Sequence, residues 1–134
     1  MTGAVLDRLR NGLIVSCQAA SGSPLANRGL MSYMAEAAEA GGAVAIRAEG
    51  LRDITEIKKA VSIPIVGLIK FKSENTPVVI TPLLEHVYQL LEAGVDLIAV
   101  DATLRKRADG TLGKDFVAQA KAIGAVVIAD IDDL

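Results

Sequence analysis

The chain has 134 residues, 51% of them hydrophobic. Its net charge is −2 and both signs are spread along the chain, so nothing suggests nucleic acid or an anionic membrane as a partner. Only 3% are aromatic, so Ala, Val, Ile and Leu must form the core, as in buried parallel strands and their covering helices. No apolar run reaches the length of a membrane span, and no signal pattern is present. The single Cys17 excludes an intramolecular disulfide and, without an evident partner histidine, is expected to be a core residue. These features predict a soluble cytoplasmic protein.

The predicted elements alternate between helix and strand along the chain. Short apolar runs without polar alternation indicate strands covered on both faces, and apolar residues at helical spacing indicate the helices between them. Glycines at the helix ends separate the two kinds of element. The predicted helices span residues 5–10, 28–40, 51–60, 82–92 and 112–123, and the predicted strands span residues 13–18, 43–49, 63–70, 96–101 and 125–130.

Smaller features between these elements also carry predictions. Residues 78–80 are expected to be extended, and Thr81 before Pro82 is expected to cap the next helix. His86 in that helix is expected to be a surface or packing residue. The basic segment 105–107 could meet a phosphate but is more typical of a solvated loop.

Strict alternation of strands and helices implies parallel strands joined by right-handed crossovers. Both an open doubly wound sheet and part of a (β/α)8 barrel satisfy this pattern. No glycine-rich phosphate loop follows the first strand, which disfavours the dinucleotide-binding sheet. Barrel enzymes collect polar residues at the carboxyl ends of their strands. Here those positions hold Gln18, Arg47 with Glu49, Lys70, Asp101 and Asp130.

The length of the repeating unit predicts an incomplete TIM barrel. Four units lie between Leu13 and Ala125 at about 28 residues each, so eight would need roughly 230 residues, near the usual barrel size. We therefore expect one α/β domain over residues 1–134 that holds strands one to five of a barrel. Five strands leave two unpaired edges and an uncovered inner face. The chain is then a fragment, or it associates into a homo-oligomer, or the sheet is open after all.

Six motifs follow one another through nearly the whole chain from Leu13 onward. They are LIVSCQA at 13–19, GGAVAIRA at 41–48, PIVGLIK at 64–70, ITP at 80–82, IAVDATLR at 98–105 and ADI at 129–131. In this order they resemble the N-acetylmannosamine-6-phosphate 2-epimerase family. The resemblance implies a (β/α)8 barrel of bacterial sialic-acid catabolism. Such an enzyme interconverts N-acetylmannosamine 6-phosphate and N-acetylglucosamine 6-phosphate, so the implied partner is a sugar phosphate and no redox cofactor is required.

The resemblance also assigns roles to the strand-end residues. It implies that Lys70 is the catalytic lysine and that Gln18, Arg47 and Asp130 line the substrate site. Asp101 is a further candidate for substrate binding because of its position at a strand end.

The chain departs from the family pattern in two places. The family usually has a serine after Ala-Asp-Ile, where this chain has Asp132. The chain also stops before strands six to eight, where the family's second catalytic group, a glutamate, and most phosphate-binding loops lie. Asp130, Asp132 and Asp133 could suggest a divalent metal, but acidic residues at a chain end are more typical of solubility, and no metal is expected.

Epimerisation next to a carbonyl needs a proton removed from one face and returned to the other. Leu68 and Ile69 before Lys70, and Arg47 on the adjacent strand, are expected to disfavour the charged ammonium and to suit Lys70 for this transfer. Arg47 or Gln18 could stabilise the enolate oxygen. Two other hypotheses remain open: a Schiff-base lysine, as in an aldolase, and a non-catalytic barrel fragment that needs itself or a missing half.

Overall fold

Five parallel strands form one sheet in which the strand order follows the chain order. A computed structural model describes residues 2–133. A doubly wound sheet reverses its strand order at a switch point, so this order identifies the strand set of a partial (β/α) barrel. The strands are β1 (Ile14–Ser16), β2 (Ala45–Glu49), β3 (Ile65–Leu68), β4 (Leu97–Asp101) and β5 (Val127–Asp130), and the helices are α1 (Thr2–Leu9), α2 (Leu30–Ala40), α3 (Leu51–Ala60), α4 (Leu84–Glu92) and α5 (Gly113–Ala122).

The sheet buries apolar side chains on both faces, which explains why its strands read as continuous apolar runs. Successive side chains point to opposite faces. On the outer face, Ile46 and Ile98 pack with helix residues such as Ile54 and Phe116, all at most 1% exposed. Cys17 belongs to this outer layer, as predicted, and burial raises the pKa of its thiol. The inner face has a separate cluster formed by Val66, Leu68, Leu97 and Ala99.

Helix α1 covers part of the inner face that the sequence analysis expected to be bare. Val5 and Leu9 pack against the inner cluster. Arg8 Nη2 donates a hydrogen bond to the carbonyl oxygen of Ser62 at 3.3 Å, and Ser62 precedes β3. The helix therefore lies at the amino ends of the strands, and the carboxyl ends stay open. Within residues 2–133 no helix is long and apolar enough to cross a membrane.

Every predicted helix and strand is present, but the third strand ends earlier than expected. Regular parallel pairing with β2 stops at Leu68. Lys70 instead forms an antiparallel bridge with Ile80, so the extended segment predicted at 78–80 lies beside the end of β3. This segment also reaches β4, because the Asp101 N–H donates to the Ile80 carbonyl oxygen at 3.1 Å.

Thr81 does not cap a helix, contrary to the prediction from the Thr-Pro pair. Helix α4 begins at Leu84. The Thr81 hydroxyl donates to the carbonyl oxygen of Ala99 at 2.7 Å, and its N–H donates to the carbonyl oxygen of Ile69 at 2.7 Å. Its φ of 45° is a left-handed conformation that is costly for a β-branched residue. The tertiary hydrogen bonds hold Thr81 there, and a local sequence pattern cannot reveal them.

Gly67 allows α4 and the turn after it to approach the sheet closely. A Cβ at this position would lie 2.6 Å from Val95 Cγ1 and 3.1 Å from Leu90 Cδ2. We expect Gly67→Ala to lower the free energy of unfolding by about 1–3 kcal/mol, because an overpacked core must shift its side chains or backbone. Urea denaturation measures the change.

Gly3→Ala is the matched control, because no atom lies within 4 Å of the added Cβ in α1. This variant should be at least as stable as the parent chain, since alanine favours the helix. Equal losses in the two variants would contradict the packing explanation.

Candidate active site

The polar residues predicted at the strand ends lie at the open carboxyl edge of the sheet. The register places Ser16 beside Arg47 and Asp101 beside Asp130. Because the carboxyl ends of parallel strands share one edge, this is where barrel enzymes place their catalytic groups. The predicted residues fall into three groups. Lys70 and Gln18 line a cavity, Arg47 and Asp130 form an ion pair, and Asp101 lies apart from the cavity.

The cavity of about 600 Å³ lies beside the ends of β1, β2 and β3 and holds Lys70 and Gln18 together. Its other polar lining includes Glu49 and Lys72. The volume is within the range of small-molecule sites. Gln18 is oriented by its side-chain nitrogen, which donates to Ser16 Oγ at 2.9 Å.

The backbone of Lys70 is held on both sides, whereas its side chain is exposed. Its N–H donates to Glu49 Oε1 at 3.1 Å, and the antiparallel bridge to Ile80 holds its other side. The expected burial of this side chain is wrong. Arg47 lies on the adjacent strand, as expected, but pairs in register with Val66, and the side chain that hydrogen-bonds to the Lys70 backbone is the Glu49 carboxylate.

Arg47 and Asp130 form a two-point ion pair across the inner face. Arg47 Nη1 donates to Asp130 Oδ1 at 3.0 Å, and Nη2 donates to Oδ2 at 2.6 Å. The contact joins β2 to β5 over the two strands between them, which requires the sheet to curl as a barrel does. Their side chains are 24% and 27% exposed, and a guanidinium with five N–H donors keeps three for other partners.

Asp101 lies next to Asp130 in the register, outside the residues that line the Lys70 cavity. Its Oδ1 accepts hydrogen bonds from the Thr103 N–H at 2.9 Å and from the Thr103 hydroxyl at 2.7 Å. The carboxylate thus orders the turn after β4. A role in substrate binding stays a prediction for this residue.

Arg107 is buried, which corrects the expectation of a solvated basic loop over 105–107. It is 2% exposed, and its guanidinium donates to the carbonyl oxygens of Asp101 and Thr81 at 2.6 Å each and of Pro82 at 3.3 Å. Its Cζ lies 3.6 Å from the centroid of the Phe116 ring. Burial lowers the pKa of Arg107 from its ordinary value. No sequence pattern indicates this role, because the acceptors are backbone atoms of distant segments.

Arg105, two residues earlier, is exposed and pairs with Asp132 after β5. The hydrogen bond from Arg105 lowers the pKa of Asp132 and raises that of Arg105. Asp130 and Asp132 are therefore each engaged by an arginine. Over residues 2–133 no three His, Cys, Asp or Glu side chains are grouped so that they could hold a metal ion.

His86 is a packing residue beside the segment that follows Lys70. It is 8% exposed, its ring centroid lies 5.4 Å from that of Phe71, and Nδ1 accepts the Leu83 N–H at 3.4 Å. Burial lowers the pKa of its imidazole, and nearby Glu85 opposes this only in part.

Parallel strands in chain order, helices on the outer face and a charged carboxyl edge define the chain as part of a (β/α) barrel. A family model described as "Putative N-acetylmannosamine-6-phosphate epimerase" matches residues 31–134. The chain belongs to this family, as the motifs had indicated.

Individual relatives agree with the family match. A "Putative N-acetylmannosamine-6-phosphate 2-epimerase" of Caldanaerobacter subterraneus subsp. tengcongensis is 50% identical over 117 residues, which cover 87% of this chain and 49% of the relative. The protein of the same name from Clostridium perfringens (strain 13) is 45% identical over 130 residues, covering 97% and 59%. A solved structure of the Clostridium perfringens N-acetylmannosamine-6-phosphate 2-epimerase superposes with a TM-score of 0.88 at 45% identity, covering 95% of this chain and 56% of that chain. The chain spans about half the length of the curated relatives it matches.

We expect Arg107→Met to lower the free energy of unfolding by about 2–4 kcal/mol, because buried carbonyl oxygens lose their donor. Chemical denaturation measures this loss. Arg105→Met removes an arginine of the same loop whose side chain is exposed, so its denaturation midpoint should stay close to that of the parent chain. Similar midpoints for the two variants would show that Arg107 is as solvated as its sequence suggests.

The stability of the chain should fall as pH is lowered from about 7.5 to 5.5. The pKa of His86 is lower in the folded state than the ordinary histidine value of 6.5. At pH values near and below 6.5 the unfolded chain therefore binds more protons than the folded chain. His86→Gln should flatten this dependence, since the sequence has one histidine. Urea titrations at several pH values test this, and parallel pH profiles for the two proteins would refute it.

Proposed function

We propose that this chain carries the lysine side of an active site that interconverts N-acetylmannosamine 6-phosphate and N-acetylglucosamine 6-phosphate. The observation that carries the proposal is the cavity of about 600 Å³ in which Lys70 and Gln18 meet. Family membership supports the substrate, because the relatives carry the name of this 2-epimerase. A sugar phosphate is a cytoplasmic metabolite, so we infer that the reaction takes place there.

The chemistry requires a base at the C2 carbon, which becomes acidic next to the C1 aldehyde of the open-chain sugar. Lys70 takes the C2 proton through its amine, and the electron pair moves to the carbonyl oxygen to form an enolate. An amide N–H of Gln18 or a free guanidinium N–H of Arg47 stabilises that oxygen. A second acid returns a proton to the opposite face of C2, a role for which the resemblance implies a glutamate, and Lys70 passes its proton to solvent. No redox cofactor takes part.

The remaining strand-end groups suit a polyhydroxy substrate. The Arg47–Asp130 pair is rigid because it has two hydrogen bonds, and it leaves donors on the arginine and acceptors on the aspartate for sugar hydroxyls. Asp101 next to it offers a further acceptor. We propose Gln18, Arg47, Asp101 and Asp130 as substrate-binding residues and Lys70 as the catalytic residue of a single barrel domain.

The test is exchange of the substrate's C2 proton in deuterated water, followed by NMR on the chain and on Lys70→Met. We expect the substitution to reduce exchange at least about 100-fold, because it removes the proton-transfer group. Lys114→Met on α5 is the control, since it removes an exposed lysine far along the chain from the cavity. Exchange that survives Lys70→Met would overturn the proposal.

Sizing of the same sample tests the other hypotheses about the chain. Exchange in a dimer means that a second copy completes the site, and a folded sample without exchange is a non-catalytic part of the barrel. Borohydride reduction with substrate present should leave Lys70 unmodified. A covalent adduct there would favour the Schiff-base chemistry of an aldolase instead.

A further inference from the structure

Glu49 is the one acidic residue that lines the Lys70 cavity in the described chain, and the sequence analysis gave it no role. We propose that Glu49 is a positioning residue for Lys70 and acts through its hydrogen bond to the Lys70 backbone. This role rests on the proposed function of Lys70.

The geometry of the strand end explains why Lys70 needs a side chain as its partner. The ladder between β2 and β3 ends where the Gly50 N–H donates to the Leu68 carbonyl oxygen at 3.0 Å. The chain then turns at Gly50, where φ is 82°, and enters α3 at Leu51. No further β2 carbonyl is available for the next N–H of the third strand. Glu49 Oε1 accepts that N–H, which belongs to Lys70, at 3.1 Å.

The opposite side of this short segment is held mainly by backbone, with one further hydrogen bond from the Ile69 N–H to Thr81 Oγ1 at 3.4 Å. The Phe71 N–H donates to the Val79 carbonyl oxygen at 3.0 Å, and the Thr81 N–H donates to the Ile69 carbonyl oxygen at 2.7 Å. Glu49 is thus the side chain that holds the N–H of Lys70 itself. A carboxylate acceptor makes a stronger hydrogen bond than a neutral one.

The position of the Lys70 backbone matters for catalysis because proton transfer needs hydrogen-bond reach between the amine and C2. The Lys70 side chain is exposed, so its backbone is the part that the fold can fix. A displacement of about 1 Å at a reacting group can cost about 100-fold in rate. Loss of the Glu49 hydrogen bond should therefore lower kcat and leave KM nearly unchanged.

Two conservative variants separate the hydrogen bond from the charge. Glu49→Gln keeps an oxygen in the same place and removes the charge, whereas Glu49→Asp keeps the charge and withdraws the oxygen by one methylene. If the hydrogen bond positions Lys70, Glu49→Gln should lose no more than about fivefold in kcat for C2 exchange. Glu49→Asp should lose about 10–100-fold, with both KM values within about twofold of the parent chain.

Amide hydrogen exchange at Lys70, measured by NMR on the same variants, reports the hydrogen bond directly. Protection should fall at least about tenfold in Glu49→Asp and persist in Glu49→Gln. Glu36→Asp on the exposed face of α2 is the matched control and should change neither readout.

The outcomes separate this inference from the proposed function. If Lys70→Met abolishes C2 exchange but Glu49→Asp keeps the parent kcat, or loses less than Glu49→Gln, the positioning role is wrong. If Lys70→Met retains exchange, the proposed function is overturned and the positioning role with it. If the folded parent chain does not catalyse exchange, the amide protection of Lys70 in the two Glu49 variants still decides whether the positioning hydrogen bond exists.

Discussion

The buried guanidinium of Arg107 is the contact on which the carboxyl edge of this half-barrel depends. It joins the end of β4, the segment before α4 and the ring of Phe116. Thr81, held by this guanidinium, in turn holds Ile69. The position of Lys70 is thus determined partly by an arginine more than thirty residues further along the chain. A buried positive charge is costly, and the carbonyl oxygens around it offset that cost.

Most of the fold could be predicted from the sequence because its elements are local and regular. Apolar runs bounded by glycine mark strands buried on both faces, and the five strands occur where those runs are. The meeting of Gln18 and Lys70 followed from one rule, that parallel strands end at a common edge. The length of the repeating unit predicted the partial barrel, and the chain order of the strands confirmed it.

The parts that could not be predicted depend on contacts between distant segments. Arg105 and Arg107 are two residues apart in a similar basic context, yet one is exposed and the other is buried. Thr81 precedes a proline, as a helix cap often does, but its hydroxyl donates a hydrogen bond to the carbonyl oxygen of Ala99 in β4. Glu49 was visible as a strand-end residue, but its contact with the Lys70 backbone requires both the register of β2 with β3 and the turn at Gly50.

The two apolar layers of the sheet differ in the sequence separation between the residues that pack together. The outer layer is assembled from successive strand–helix units, so its contacts can form between neighbours in sequence. The inner layer joins Val5 and Leu9 to strands β3 and β4, which are separated from α1 by two and three intervening helices, respectively. Closing such long loops is slow, since their entropy is lost before the contacts form. The contacts between α1 and the inner layer therefore cannot all form until β4 has been synthesised.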